Sequence, residues 1–135
     1  MISTIKDLNQ LIKGMMPVVN PGVYAFVSVP SAEALQSVRV IASVIEDEGY
    51  SAVIGESDAL SLELPILFRA GWITLTVNSD LQAVGLTATF AGALSKAGIS
   101  CNVVAGAFHD HIFVPIECTA DAMDVLNNMQ ASVNE

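Results

Sequence analysis

The six residues "WITLTV", Trp72 to Val77, alternate strictly, and few other patterns constrain a fold as much. Ile73, Leu75 and Val77 fall on one face, and Trp72, Thr74 and Thr76 fall on the other. That is a strand covered mainly on one side. The period then changes. "GLTATFAGALSKAG" puts Leu86, Phe90, Ala93, Leu94 and Ala97 on one helical stripe. Gly98 follows where a left-handed residue closes a helix. Ile99–Gly106 and His111–Glu117 read as two further strands, and Pro115 hints at an edge or bulge. Thr119 to Gln130 reads as a last helix, capped by Thr119, with Asp121 and Asp124 near its positive end. Its packing residues are Ala122, Val125, Leu126 and Met129. Strand–helix–strand–strand–helix is one strand short of a ferredoxin-like βαββαβ unit.

The first half supplies candidates for the missing strand. Thr4 to Met15 has a helical stripe of Ile5, Leu8, Leu11, Ile12 and Met15. Asn20 to Gly22, "NPG", reads as a turn, and Val23–Val29 as a buried strand. Strands are expected at about Val38–Ile45 and Ser51–Gly55 around the acidic tip "EDEGY". A helix from Ser31 through Ile45 competes with the first of them. Ser57 to Leu64 reads as a short helix capped by Ser57. The expected fold is therefore α+β, an antiparallel sheet with helices on one face, built from split or interleaved βαββαβ units. The division falls between residues 1–66 and 67–135.

Composition narrows the function. The chain has 135 residues, 53% of them hydrophobic, and a net charge of −9. So apolar a small chain has surface to spare for a subunit interface. Its five basic residues are scattered, which argues against nucleic acid and against anionic membranes. The N-terminus shows no signal-peptide pattern and no run reaches membrane-helix length, so the expectation is a cytoplasmic protein. Cys101 and Cys118 form no CxxC pair and read as reduced, partly buried thiols.

"NSDLQAVGLTATFAGALSKAGISCNVVAG" resembles the ACT domain, the small ligand-sensing module attached to aspartate kinases and related enzymes. With "HDHIFVP" and "DEGYSAVIGESDA", the chain is similar to short stand-alone proteins with an ACT-like second half. The resemblance implies a non-enzymatic regulatory protein without a cofactor. It would form a homodimer and bind an amino acid or similar small metabolite at the subunit interface. The implied ligand residues are Asn78, Ser79, Asp80, Leu81, Ala83, Val84, Gly85 and Leu86 in the turn before the helix. Asn102, Val103 and Val104 on the next strand complete them. Physical chemistry is compatible: the start of a helix offers unpaired N–H groups to a carboxylate. Asn78 and Asn102 both donate and accept, and Asp80 suits an ammonium. The same residue types are also ordinary turn formers.

Both histidines lie in "AGAFHDHIFVP". A metal-dependent hydrolase using His109, Asp110 and His111 is one reading, with Cys101, Cys118 or Glu117 as a further ligand. No spacing diagnostic of a zinc enzyme accompanies them, and no GxSxG, P-loop or GxGxxG is present. The preferred reading makes this stretch the connection between two antiparallel strands, with Asp110 satisfying turn N–H groups. A third reading is a structural dimer module that binds nothing. Glu46-Asp47-Glu48 lacks the alternating oxygen ligands of a calcium loop and reads as a solvated tip.

Overall fold

A computed structural model describes residues 8–76 and 85–133. Six strands run β1 (Pro17–Val29), β2 (Val40–Glu46), β3 (Gly49–Gly55), β4 (Phe68–Leu75), β5 (Asn102–Ala105) and β6 (Asp110–Pro115). The helices are α1 (Leu8–Gly14), α2 (Glu56–Ser61), α3 (Leu86–Lys96) and α4 (Thr119–Val133). The strands form one sheet in the order β2-β3-β1-β4-β6-β5, and every neighbouring pair is antiparallel. β1 and β4 meet at the centre, Val18 opposite Thr74 and Phe26 opposite Phe68. Neither trio β2-β3-β1 nor β4-β6-β5 has a fourth strand of its own, and each borrows the first strand of the other.

One face carries the helices, as expected. Ile73 and Leu75 of β4 and Ile112 and Val114 of β6 point to it, fully buried beneath Phe90 and Leu94 of α3 and Leu126 of α4. Leu11, Ile12 and Met15, in and just after α1, join the same cluster. On the other trio, Ala25, Val27, Ala52 and Ile54 pack under Leu35 and Ala59. Each large side chain so buried contributes roughly 1.5–3 kcal/mol.

The opposite face is aromatic. Phe26 meets Phe68 edge-on at 5.3 Å and Phe113 at 5.5 Å between centroids. Trp72 stacks near Phe113 at 6.1 Å and meets Tyr24 in a T-shaped pair at 5.2 Å. Such pairs add about 0.5–1.5 kcal/mol each beyond their burial. Phe113 is fully buried although no helix covers it. The reason is curvature: the outer strands β2 and β5 approach one another across this face, and Ile41, Ala42 and Val104 line the same cavities.

Several sequence expectations need correction. β1 begins at Pro17, so the expected "NPG" turn lies inside a long strand, where the register shifts between Asn20 and Tyr24. The irregular residues let the strand change register without leaving the sheet. The competing helix over Ser31–Ile45 shrinks to a 3₁₀ turn, Ala32–Leu35, and the β-branched residues that follow form β2. α2 is opened by Gly55, with no side-chain cap, rather than by Ser57. β4 starts four residues before Trp72 and ends at Leu75. Thr119 caps nothing: its helical backbone already belongs to α4, and its hydroxyl donates back to the Ile116 carbonyl at 2.8 Å. Pro115 ends β6 opposite Ala70, beyond the stretch that β5 pairs, so its missing N–H breaks no ladder there.

Candidate functional site

The turn expected to hold a ligand lies mostly outside the described residues: Asn78, Ser79, Asp80, Leu81, Ala83 and Val84 are all in that stretch. Its end is described. Gly85 is left-handed at φ +101° and directly precedes α3. A glycine takes that conformation without steric cost, and it has no side chain with which to cap the helix. Leu86, the first helical residue, is buried against the core and offers only its backbone N–H to the turn. At the other end Gly98, at φ +77°, closes the helix as its spacing predicts.

β5 divides its three candidates between the faces. Val103 pairs with Ile112 and packs against the helix-side cluster. Asn102 and Val104 pair with Phe113 and His111, on the aromatic side, and both are exposed on the outer strand. The structure thus does not gather Asn102, Val103 and Val104 onto one surface.

The histidine cluster is split in the same way. His109 sits in the β5–β6 connection, where the Gly106 N–H donates to its carbonyl at 2.9 Å. Asp110 is not a turn residue. It opens β6 opposite Leu75, buried on the helix side, and burial pushes its carboxyl above the usual range. The neighbouring histidines oppose that shift. His111 points to the aromatic side, opposite Thr74. Its Nδ1 accepts the Trp72 indole N–H at 3.1 Å, and the Thr74 hydroxyl lies at 3.1 Å from the same nitrogen. Asn20 in turn donates to Thr74 Oγ1 at 2.9 Å and to the Trp72 carbonyl at 3.3 Å. An indole N–H only donates, so Nδ1 must be unprotonated and the ring proton belongs on Nε2. Burial lowers the imidazole pKa, with a smaller contribution from His109, while Asp110 opposes it. A metal ion at Nδ1 would have to displace the indole. No group of three His, Cys, Asp or Glu able to hold a metal occurs among the described residues. Burial also pushes the Cys101 thiol up to about 11, which keeps it a poor nucleophile.

Two cavities occupy the curled face. One, of about 130 Å³, lies among Arg39, Ile41, Trp72, Val104, His111 and Phe113. The other, of about 380 Å³, is lined by Phe26, Ile41, Val53, Leu67, Phe68 and Val104, with Ala42 common to both. Arg39 holds its guanidinium 5.9 Å from the centre of the Trp72 ring, within cation–π range. Strand alternation at Trp72 and Thr74 announced a second face. It gave no sign that Arg39, Asn20 and His111 would meet there.

Two ACT domain profiles match the chain, over residues 3–71 and 67–128. No curated protein matches it significantly. A Vibrio cholerae protein of unknown function, a possible transport protein, is 40% identical over 95% of this chain and 99% of its own, with a TM-score of 0.84. The ligand-free regulatory subunit of aspartate kinase from Thermus thermophilus is 8% identical, covers 86% of this chain and 97% of its own, and has a TM-score of 0.68. An Agobacterium tumefaciens protein is 17% identical over 86% of this chain and 89% of its own, at a TM-score of 0.63. The last two likenesses speak for the fold alone. ACT domains are regulatory, ligand-binding modules, and on its two profile matches this chain belongs to the ACT domain family.

Proposed function

We propose that the protein is a non-enzymatic regulatory module that binds an amino acid or a similar small metabolite where the β4–α3 turn meets a subunit interface. Residues 1–66 serve as its N-terminal ACT-like half and residues 67–135 as its C-terminal ACT domain. The observation that carries the reading is the start of α3. Gly85 leaves the first-turn N–H groups without a side-chain acceptor of its own, and an α-carboxylate is a fitting partner for them. Asn78, Ser79 and Asp80 complete the ligand set from the turn, together with Asn102 of β5. Homodimers place the site between two copies. The described residues include no helix long and apolar enough to cross a membrane.

A thermal-shift panel of the common amino acids at millimolar concentration, followed by calorimetry on any hit, tests this. One amino acid that raises the melting temperature in a concentration-dependent way supports the reading, because a ligand of the native state stabilises by mass action. No response from any of them overturns it.

A further inference from the structure

A different binding site lies on the face without helices. We propose that the groove between the outer strands β2 and β5 binds an organic carboxylate with an apolar tail, its headgroup at Arg39 and His111 and its tail along the larger cavity. This does not depend on a ligand at α3. The two cavities share Ile41, Ala42 and Val104, so they form one continuous groove with a polar end and an apolar end. The larger cavity, at about 380 Å³, already reaches the roughly 300–1,000 Å³ of small-molecule sites.

The polar end specifies the headgroup. Arg39 makes no ion pair among the described residues and is held over the mouth by the Trp72 ring. The indole N–H is committed to His111 Nδ1, so the protons left to give at this end belong to the guanidinium and to His111 Nε2. Among the described residues no acidic side chain lines either cavity, so an ammonium finds no counter-charge in that lining. That favours a carboxylate lacking an amino group over a zwitterionic amino acid. In a chain of net charge −9, an arginine without an ion pair among the described residues, at the rim of an apolar groove, is a local reversal of sign. The tail end offers Phe26, Phe68, Val53 and Leu67, and of the two serines that also line it Ser51 donates its hydroxyl to Glu46.

Trp72 is the chain's only tryptophan and lines the polar end, so its fluorescence reports on this groove alone. Titration of the full chain with sodium octanoate should shift that emission saturably. Acetate, which lacks the tail, and octylamine, which lacks the carboxylate, should not. Arg39→Gln, a change at an exposed residue, should keep the circular dichroism spectrum and weaken octanoate by about tenfold or more, the loss of one charge-assisted bond. Arg39→Lys should retain part of the affinity. A silent octanoate titration, equal binding by octylamine, or unchanged affinity in Arg39→Gln overturns the proposal. Sedimentation at the same concentrations completes the test. A dimer that shields Trp72 and ignores octanoate assigns the groove to a second copy, which also overturns it.

Discussion

The two strand trios follow one plan and are covered by different means. In each, the first strand lies at the central seam, the third beside it and the second at the edge. In the trio of β4, β5 and β6, the eleven-residue α3 makes the crossover and the fifteen-residue α4 follows the last strand. In the trio of β1, β2 and β3, a four-residue 3₁₀ turn and the six-residue α2 occupy the same places. The difference teaches that strand order and helical cover are separable. The β-branched runs choose their neighbours in the same way whether or not a helix roofs them. The roof decides how deep a core each half can own.

The comparison breaks most visibly where the roof is thickest. Phe90→Ala, in the middle of α3 and fully buried, should cost about 3–5 kcal/mol in chemical denaturation. Leu35→Ala, its counterpart in the 3₁₀ turn, should cost about 2–3 kcal/mol, because a short connection collapses more readily around the gap. Equal losses would mean that the two roofs are equally rigid. Next comes the close approach of α4 to the sheet. A Cβ at Gly71 would collide with the Thr119 hydroxyl and sit 3.2 Å from its Cβ. Gly71→Ala should therefore destabilise by about 1–3 kcal/mol, and adding Thr119→Ala should recover part of the loss. Additive losses would remove the contact from the account.

Smaller effects compare the two faces. Trp72→Phe keeps an aromatic ring but takes away the pyrrole part of the indole with its donor to His111, and the lost hydrogen bond alone should cost about 0.5–1.5 kcal/mol. His111 has a lowered native pKa, so the unfolded chain takes up its proton first as the pH falls. Its effect is a loss of stability that begins near the unfolded histidine value of about 6.5 and levels off once the native ring protonates. His111→Gln should flatten that part of the pH–stability curve. Asp110 acts with the opposite sign. Its raised native pKa means that stability is lost as the pH rises from the unfolded carboxylate value of about 3.9 through the native one. Asp110→Asn should therefore raise the melting temperature at neutral pH and lose that advantage in acid. At the bottom of the scale is Arg69→Gln, which removes an exposed ion pair with Glu56 and should leave stability unchanged within error.

Much of the second trio was legible because its periods are pure. WITLTV alternates without exception, Leu86, Phe90 and Leu94 fall one turn apart, and Gly98 ends the helix they define. The first trio was harder for a physical reason. Ala34, Leu35, Val38 and Ala42 fit a helical period as well as they fit a turn and a strand, and only pairing with β3 settles the choice. The start of β1 was missed because Pro17 and Asn20-Pro21-Gly22 are turn-forming residues tolerated within a shifted register. At the histidines, the strand–strand connection and a strand from His111 were foreseen, but not that the strand opens one residue earlier at Asp110 or that the two side chains turn to opposite faces. The groove was not legible at all. It arises from curvature that brings Val104 to Ile41, and no local pattern encodes a meeting between the two outer strands.

The central pairing of β1 with β4 also bears on how the molecule would withstand a broken backbone. The two trios are joined by a short connection between Ser61 and Phe68 but also by a ladder running from Pro17 opposite Leu75 to Phe26 opposite Phe68. A protease cut at exposed Pro65 should leave two fragments held together by that ladder and still migrating as one particle under native conditions. Expressed separately, the two pieces should find each other, each offering the missing edge that the other needs.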